Sequence, residues 1–236
     1  MNVKDRWADA IIRFNSSLQF DDELPKGIRI MNPYRSNPDA ATASQAFYRK
    51  YYNDRHPRTL ILGINPGRLG AGHTGIPFTD TSRLQSECGI SWGGKASHEP
   101  SSVFVYDVIR AFGGPGKFYG NFYISSISPL GFVKQNTRGE VNYNYYDDLQ
   151  LQETMRPWMR DRLVEQLSFG INREQAICFG TGKNYKFIDA MNREFGFFDR
   201  LIPLEHPRYI MQYKSSSRES YVTKYLEALD NSSRPL

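Results

Sequence analysis

Four short apolar runs, separated by stretches of helical spacing, constrain this chain more than any other feature. Thr59–Ile64 (TLILGI) is rich in β-branched residues, and Asn121–Ser128 (NFYISSIS) stops at Pro129. Gln175–Gly180 (QAICFG) runs into a glycine turn, and Leu201–Glu205 (LIPLE) ends at His206-Pro207. Runs of this length and composition read as buried strands. Between and around them lie helical patterns. Residues 3–18 place Trp7, Ile11, Ile12 and Leu18 near helical spacing, and Ala41–Tyr52 follows. Ser101–Phe112 has Ser101 or Ser102 as its cap and Gly113-Gly114-Pro115-Gly116 as its stop. Asp148–Ser168 is a long pattern in which Pro157 marks a kink or a helix start. Asn184–Phe195 and Ser217–Asp230 complete the set, the latter with Val222, Tyr225, Leu226 and Leu229 on one face. The stretch KQNTRGEVNYNYYDD, residues 134–148, reads as a polar connector.

Short strands alternating with helices imply an α/β architecture, a parallel sheet covered on both faces. At 236 residues, with no repeat, low-complexity block or linker, the chain reads as one domain over residues 1–236. Its 39% hydrophobic and 14% aromatic content suits an ordered core. A formal charge of +5 is compatible with a polyanionic partner without specifying one. Cys88 and Cys178 are too few for a disulfide framework or an iron–sulfur cluster, and no Cys/His cluster has zinc spacing. The start, MNVKDRWADAII, lacks the apolar stretch of a signal peptide, and no run reaches membrane-spanning length. The expectation is a soluble cytoplasmic protein with free thiols, nucleoid-associated if bacterial.

In an open parallel sheet, ligands bind beyond the carboxyl ends of the strands. Asn65-Pro66-Gly67, Ser126-Ile127-Ser128-Pro129, Gly180-Thr181-Gly182-Lys183 and His206-Pro207 all fall there. Each has an ordinary structural reading as well. Asn-Pro-Gly is turn chemistry. Gly-Thr-Gly-Lys is not a P-loop, because Ile177 stands where that motif needs glycine, yet it can present backbone N–H groups and Lys183 to a phosphate. His206 suits a half-buried histidine, and Phe78 suits the core. The Asn-Pro-Gly turn leads into a glycine-studded loop that holds His73, a candidate pocket residue. His56 sits among charges in a solvated loop, and His98 lies in GGKASHEPSS.

Taken together, the residues resemble the uracil-DNA glycosylase superfamily, in particular its single-strand-selective monofunctional branch. The branch motif Gly-Met-Asn-Pro-Gly-Pro-Phe-Gly, followed by Gly-Val-Pro-Phe, is similar to Gly63-Ile64-Asn65-Pro66-Gly67-Arg68-Leu69-Gly70 and Gly75-Ile76-Pro77-Phe78. Asn-Leu-Cys-Pro-Leu is similar to Ser126-Ile127-Ser128-Pro129-Leu130, Gly-x-Gly-Arg to Gly180–Lys183, and the late His-Pro to His206-Pro207. The resemblance spans residues 55 to 230. It implies a three-layer sandwich with a central four-stranded parallel sheet flanked by helices, and hydrolysis of the N-glycosidic bond of a damaged base in DNA.

The resemblance also implies roles. The base is flipped out of the helix, at a cost of a few kcal/mol, and stacks on Phe78. Asn65 holds the attacking water, and His206 donates a hydrogen bond to the base oxygen where charge develops. Ile64, Gly67 and Ser126 line the base pocket; His73 is a candidate there only by its place in the loop, and the resemblance gives it no role. Lys183, Arg208 and Lys214, with Arg218, neutralise phosphates, while Tyr209, Ile210 and Met211 are the candidate wedges that fill the gap left by the base. No metal or cofactor is required, and no lysine occupies a motif position suited to Schiff-base chemistry, so the reaction is monofunctional. The expected protein is a monomer acting on single- or double-stranded DNA. Two departures stand out. Ser126 replaces an asparagine that reads the pyrimidine edge, and a hydroxyl cannot make the same bidentate pair, which points toward weaker uracil selection or a shift to xanthine or hypoxanthine. The segment Arg208–Tyr213 replaces the family's Ser-Pro-Arg-Asn-Pro. A catalytically silent nucleic-acid-binding module and an enzyme acting on free nucleotides are the alternatives.

Overall fold

The computed structural model describes residues 5–137 and 139–233. The chain opens with α1 (Trp7–Ser17), β1 (Ile28–Met31), α2 (Pro33–Ser36), α3 (Pro38–Tyr51) and β2 (Arg58–Gly63). Next come α4 (Ala71–Thr74), α5 (Thr81–Ser86), α6 (Pro100–Phe112), α7 (Pro115–Asn121) and β3 (Phe122–Ser126). The hairpin β4 (Gly131–Asn136) and β5 (Gly139–Tyr143) precedes α8 (Leu149–Leu167), β6 (Ile171–Phe179), α9 (Lys183–Phe195) and β7 (Arg200–Leu204). Finally α10 (Pro207–Tyr213), a 3-10 turn (Ser215–Ser217) and α11 (Arg218–Ser233) close the chain.

The four apolar runs form one parallel sheet in the order β3-β2-β6-β7, as expected. All six residues of β2 are buried, which is what a central parallel strand flanked by helices demands. Its register sets Leu60 beside Tyr123 on one side and Ala176 on the other, and Ile177 pairs with Ile202 further out. The carboxyl ends of β2, β3, β6 and β7 therefore reach one edge together. α8 buries Leu151, Met155, Met159 and Leu163, a stripe repeating every four residues.

Several expectations are corrected. The segment 134–148 is not a connector: β4 and β5 pair antiparallel, and β1, absent from the sequence reading, adds to β4 to make a second sheet, β1-β4-β5. Polar residues dominate the hairpin because only the start of β4, Phe132 and Val133, is buried, while Lys134 to Asn136 face outward. Pro157 lies inside α8 and does not start it, and Asp148 caps that helix by accepting the Leu151 N–H. α6 begins one residue early at Pro100, with Glu99 at its cap position; Ser101 and Ser102 are buried within the helix, and Ser102 Oγ accepts the Asp80 N–H. Residues 3 and 4 of the first expected helix lie outside the described residues.

Candidate active site

β2 delivers Asn65 two residues past its last pairing, and the chain turns there through Pro66-Gly67. The Asn65 amide is held at both ends by the last residue of β5 and the segment that follows it. Its Nδ2 donates to the Tyr143 carbonyl at 3.2 Å, and its Oδ1 accepts the Tyr145 N–H at 3.2 Å. An amide has two donors and two lone pairs, so one of each stays available to a ligand. Tyr145 is itself fixed, since its hydroxyl donates to Asn184 Oδ1 at 2.8 Å. The hairpin therefore sets the orientation of a side chain that lies about 80 residues earlier.

Asn65 opens on a cavity of about 270 Å³ whose lining includes Ile64, Gly67, Phe78, Ser126 and His206. Phe78 has φ of 52°, and among the described residues no other non-glycine residue has a positive φ. Left-handed backbone costs a residue of this kind of order 1–3 kcal/mol and persists where surroundings dictate it. Here Thr74 dictates it: its hydroxyl donates to the Thr79 carbonyl at 2.6 Å and accepts the Ile76 N–H at 3.2 Å. The Phe78 ring then meets Phe179 edge-on at 5.4 Å and lies 5.7 Å from His206. Gly63 leaves room beneath it: a β-carbon there would stand 3.2 Å from Ser126 Oγ and 3.3 Å from the Phe78 ring, closer than such contacts normally run.

His206 precedes Pro207 at the start of α10. Its Nδ1 accepts the Arg208 N–H at 3.1 Å, so the neutral ring carries its proton on Nε2. Burial, aided by the Arg208 charge, pushes the imidazole down to about 4. At neutral pH the ring is an uncharged donor facing the cavity. Glu99 also lines this cavity. Burial and the nearby Asp80 carboxylate raise it to about 7, with Arg208 acting in the opposite direction.

The structure brings Ile64, Asn65, Gly67, Phe78, Ser126, His206, Arg208 and Tyr209 together around one cavity. It does not bring His73 there. That imidazole contacts the Lys95 carbonyl through Nε2 at 2.7 Å and lies 5.1 Å from the Trp92 ring, so it braces the loop that α4 closes. Ile210 is fully buried and packs into the core, so it cannot act as a wedge. Met211 is half-buried against the same core, whereas Tyr209 is 43% exposed at the cavity rim beside Tyr213. Lys183 lines an adjacent cavity that shares Ile64, Tyr146, His206 and Tyr209, and its ammonium lies 5.8 Å from the Tyr146 ring. Lys214 is exposed and lies outside both linings.

Sequence reasoning missed Glu99, Asn142, Asn144, Tyr146 and Gln212, all of which line the cavity. The signal for Glu99 was its place directly before Pro-Ser-Ser at a helix start, one residue beyond His98. The signal for the others was the run Asn142-Tyr143-Asn144-Tyr145-Tyr146, whose aromatic content does not suit a mere connector. Among the described residues no group of three His, Cys, Asp or Glu side chains converges as a metal site would need, and no helix is long and apolar enough to cross a membrane.

Comparison with known proteins accords with this geometry. No curated protein sequence matches the chain. The solved structure of wild-type Pedobacter heparinus SMUG2 superposes with a TM-score of 0.94 at 50% identity, covering 96% of this chain and 97% of that one. The profile of the Uracil DNA glycosylase superfamily matches residues 49–230, a span that holds β2, the cavity and α10. The chain belongs to the uracil DNA glycosylase superfamily and is a DNA glycosylase.

Proposed function

We propose that this enzyme flips a deaminated base, uracil or a close relative, out of DNA and removes it by hydrolysis in base excision repair. It acts as a monomeric single domain without lyase chemistry or a cofactor. The observation that carries this reading is the convergence of Asn65, Phe78 and a neutral His206 on one cavity at the carboxyl end of β2.

Each residue has a physical task. A flipped ring stacks on Phe78, a contact worth about 1–3 kcal/mol per base. As the glycosidic bond lengthens, negative charge gathers on the base and positive charge on the sugar. His206, with Nδ1 engaged, offers Nε2–H to the base oxygen. Its neutrality matters, because an imidazole that titrates well below neutrality donates a hydrogen bond without handing its proton to the leaving base. Asn65 orients water with the donor and lone pair that Tyr143 and Tyr145 leave free. Tyr209, exposed at the rim, is the wedge that occupies the vacated stack. Arg208, exposed beside it, meets phosphate.

Ser126 favours a broadened substrate range that includes hypoxanthine or xanthine, since its hydroxyl does not select one base edge. The test is a panel of single- and double-stranded oligonucleotides carrying uracil, 5-hydroxymethyluracil, hypoxanthine or xanthine, treated with the wild type and with Ser126→Asn. Abasic product from uracil, with Ser126→Asn raising uracil relative to the purines, is the expected result. An unchanged profile in the variant would remove Ser126 from base selection, and no abasic product from any of the four would sink the assignment of a deaminated substrate.

A further inference from the structure

Hydrolysis at the sugar makes a demand that Asn65 and His206 do not meet. The water oxygen bonds to C1′, the C1′–N bond breaks with its electron pair passing to the base, and one proton must leave the water. Asn65 is an amide and takes no proton. His206 has its Nδ1 lone pair engaged by the Arg208 N–H and its Nε2 already protonated, so no lone pair is free to receive one. The other polar side chains around the cavity are hydroxyls, amides, phenols and the guanidinium of Arg208. None of these is a base at neutral pH. Among the described lining residues Glu99 is the one carboxyl.

The fold places that carboxyl with care. The Glu99 N–H donates to the buried Asp80 carboxylate at 2.8 Å. At the cap position of α6 its side chain makes no capping bond, and it turns over Gly67 and Gly70 instead. A β-carbon on Gly67 would stand 3.2 Å from Glu99 Oε1, and one on Gly70 would overlap Oε2. These glycines leave the room in which the carboxyl lies. Neither carboxyl oxygen accepts a hydrogen bond from the described residues, although the side chain is half-buried. An acceptor that is held at its backbone and unpartnered at its head, in the cavity that receives the substrate, is available to a water.

Resting on the glycosylase reading given above, we propose that Glu99 is the proton acceptor for the attacking water. Asn65 orients that water, and Glu99 takes its proton as the oxygen closes on C1′. The products are the abasic sugar, the base anion held by His206, and a protonated Glu99. That proton returns to the base or to solvent as the base leaves. The charged groups that face the carboxyl are Asp80, which raises it, and Arg208, which lowers it. Asp80 is in turn paired with Arg83 and lies 3.6 Å from His98. The outcome near 7 suits the task, since a general base is most effective when its pKa lies close to the working pH.

The experiment is single-turnover excision between about pH 5.5 and 8.5, on whichever lesion the panel above identifies as the best substrate. A wrong base assignment is then read from the panel, and a wrong role for Glu99 from its variants. In the wild type the rate should climb about tenfold per pH unit at low pH and level off above about 7. Glu99→Gln should run about 100-fold slower on that plateau and lose the slope, the low end of what a general base contributes. Glu99→Ala should regain rate when formate is added, because a small carboxylate can occupy the vacated space. Binding of an uncleavable 2′-fluoro oligonucleotide should stay the same for all three proteins. Three results would each overturn the proposal: Glu99→Gln within about threefold of the wild type, a wild-type rate that falls as pH rises through about 7, or lost rate in Glu99→Ala that formate does not restore.

Discussion

The two ends of β2 treat polar groups in opposite ways. At the amino end, Arg58 is a buried cation whose five N–H donors are all engaged. Nε donates to the Tyr119 carbonyl at 2.7 Å, Nη1 to Asp54 and the His56 carbonyl, and Nη2 to Asp54 and the Tyr51 carbonyl. Its guanidinium also lies 5.1 Å from the Trp7 ring and 4.8 Å from that of Tyr52. At the carboxyl end, the Glu99 carboxyl accepts no hydrogen bond from the described residues, Asn65 keeps half its hydrogen-bonding capacity, and His206 keeps its Nε2–H. A buried charge is tolerable when every bond is made, and Arg58 meets that condition. Incomplete bonding at the other end leaves groups able to take partners from a bound substrate. Completeness of bonding, more than residue type, separates the structural polar groups at one end of this strand from those proposed to act at the other.

Substitutions at each end can break that contrast. The largest effect is expected for His206→Ala, which removes the proposed donor to the departing base and should slow excision by about 10²–10³-fold, as loss of one preorganised donor does elsewhere. Its melting temperature should stay close to that of the wild type; a large drop would move His206 to the structural side. Arg58→Met should do the reverse. Breaking a buried pair costs about 3–5 kcal/mol, and the low end, about 3, is expected because the Asp54 side chain is 34% exposed. Urea unfolding measures that loss, while the rate per folded molecule should match the wild type. The smallest effect is expected for Gly70→Ala. Its methyl would overlap the end of a flexible glutamate and not the backbone, so the fold should hold while the displaced Glu99 costs about tenfold in rate. An unchanged rate in Gly70→Ala would mean that the carboxyl works equally well from another position.

Much of the fold was legible because the hydrophobic pattern of a parallel sheet is local. A strand buried on both faces is largely apolar, so β2, β3 and the second half of β6 announce themselves; the edge strand β7 buries only Leu204 but still shows as a short apolar run, and the turns after all four mark the edge where the site lies. The hairpin was not legible, since a strand pair that buries only the start of β4 leaves no apolar run to read. His73 was misjudged for a related reason: proximity in a loop says nothing about which way a ring turns, and Lys95 and Trp92 hold this one away from the cavity. Ile210 sits between Tyr209 and Met211 in sequence, but a helix turns about 100° per residue and carries it into the core.

By itself the sequence determined the sheet, its strand ends, and the identity of Asn65, Phe78 and His206 as the groups placed there, because each follows from short-range pattern and from motif resemblance. Tertiary structure alone decided what those groups are able to do. The Asn65 amide takes its orientation from Tyr143 and Tyr145, His206 its tautomer from the Arg208 N–H, and Glu99 its titration from burial beside Asp80. Hydrogen-bond direction and desolvation depend on atoms brought together from distant segments, and no local pattern records them.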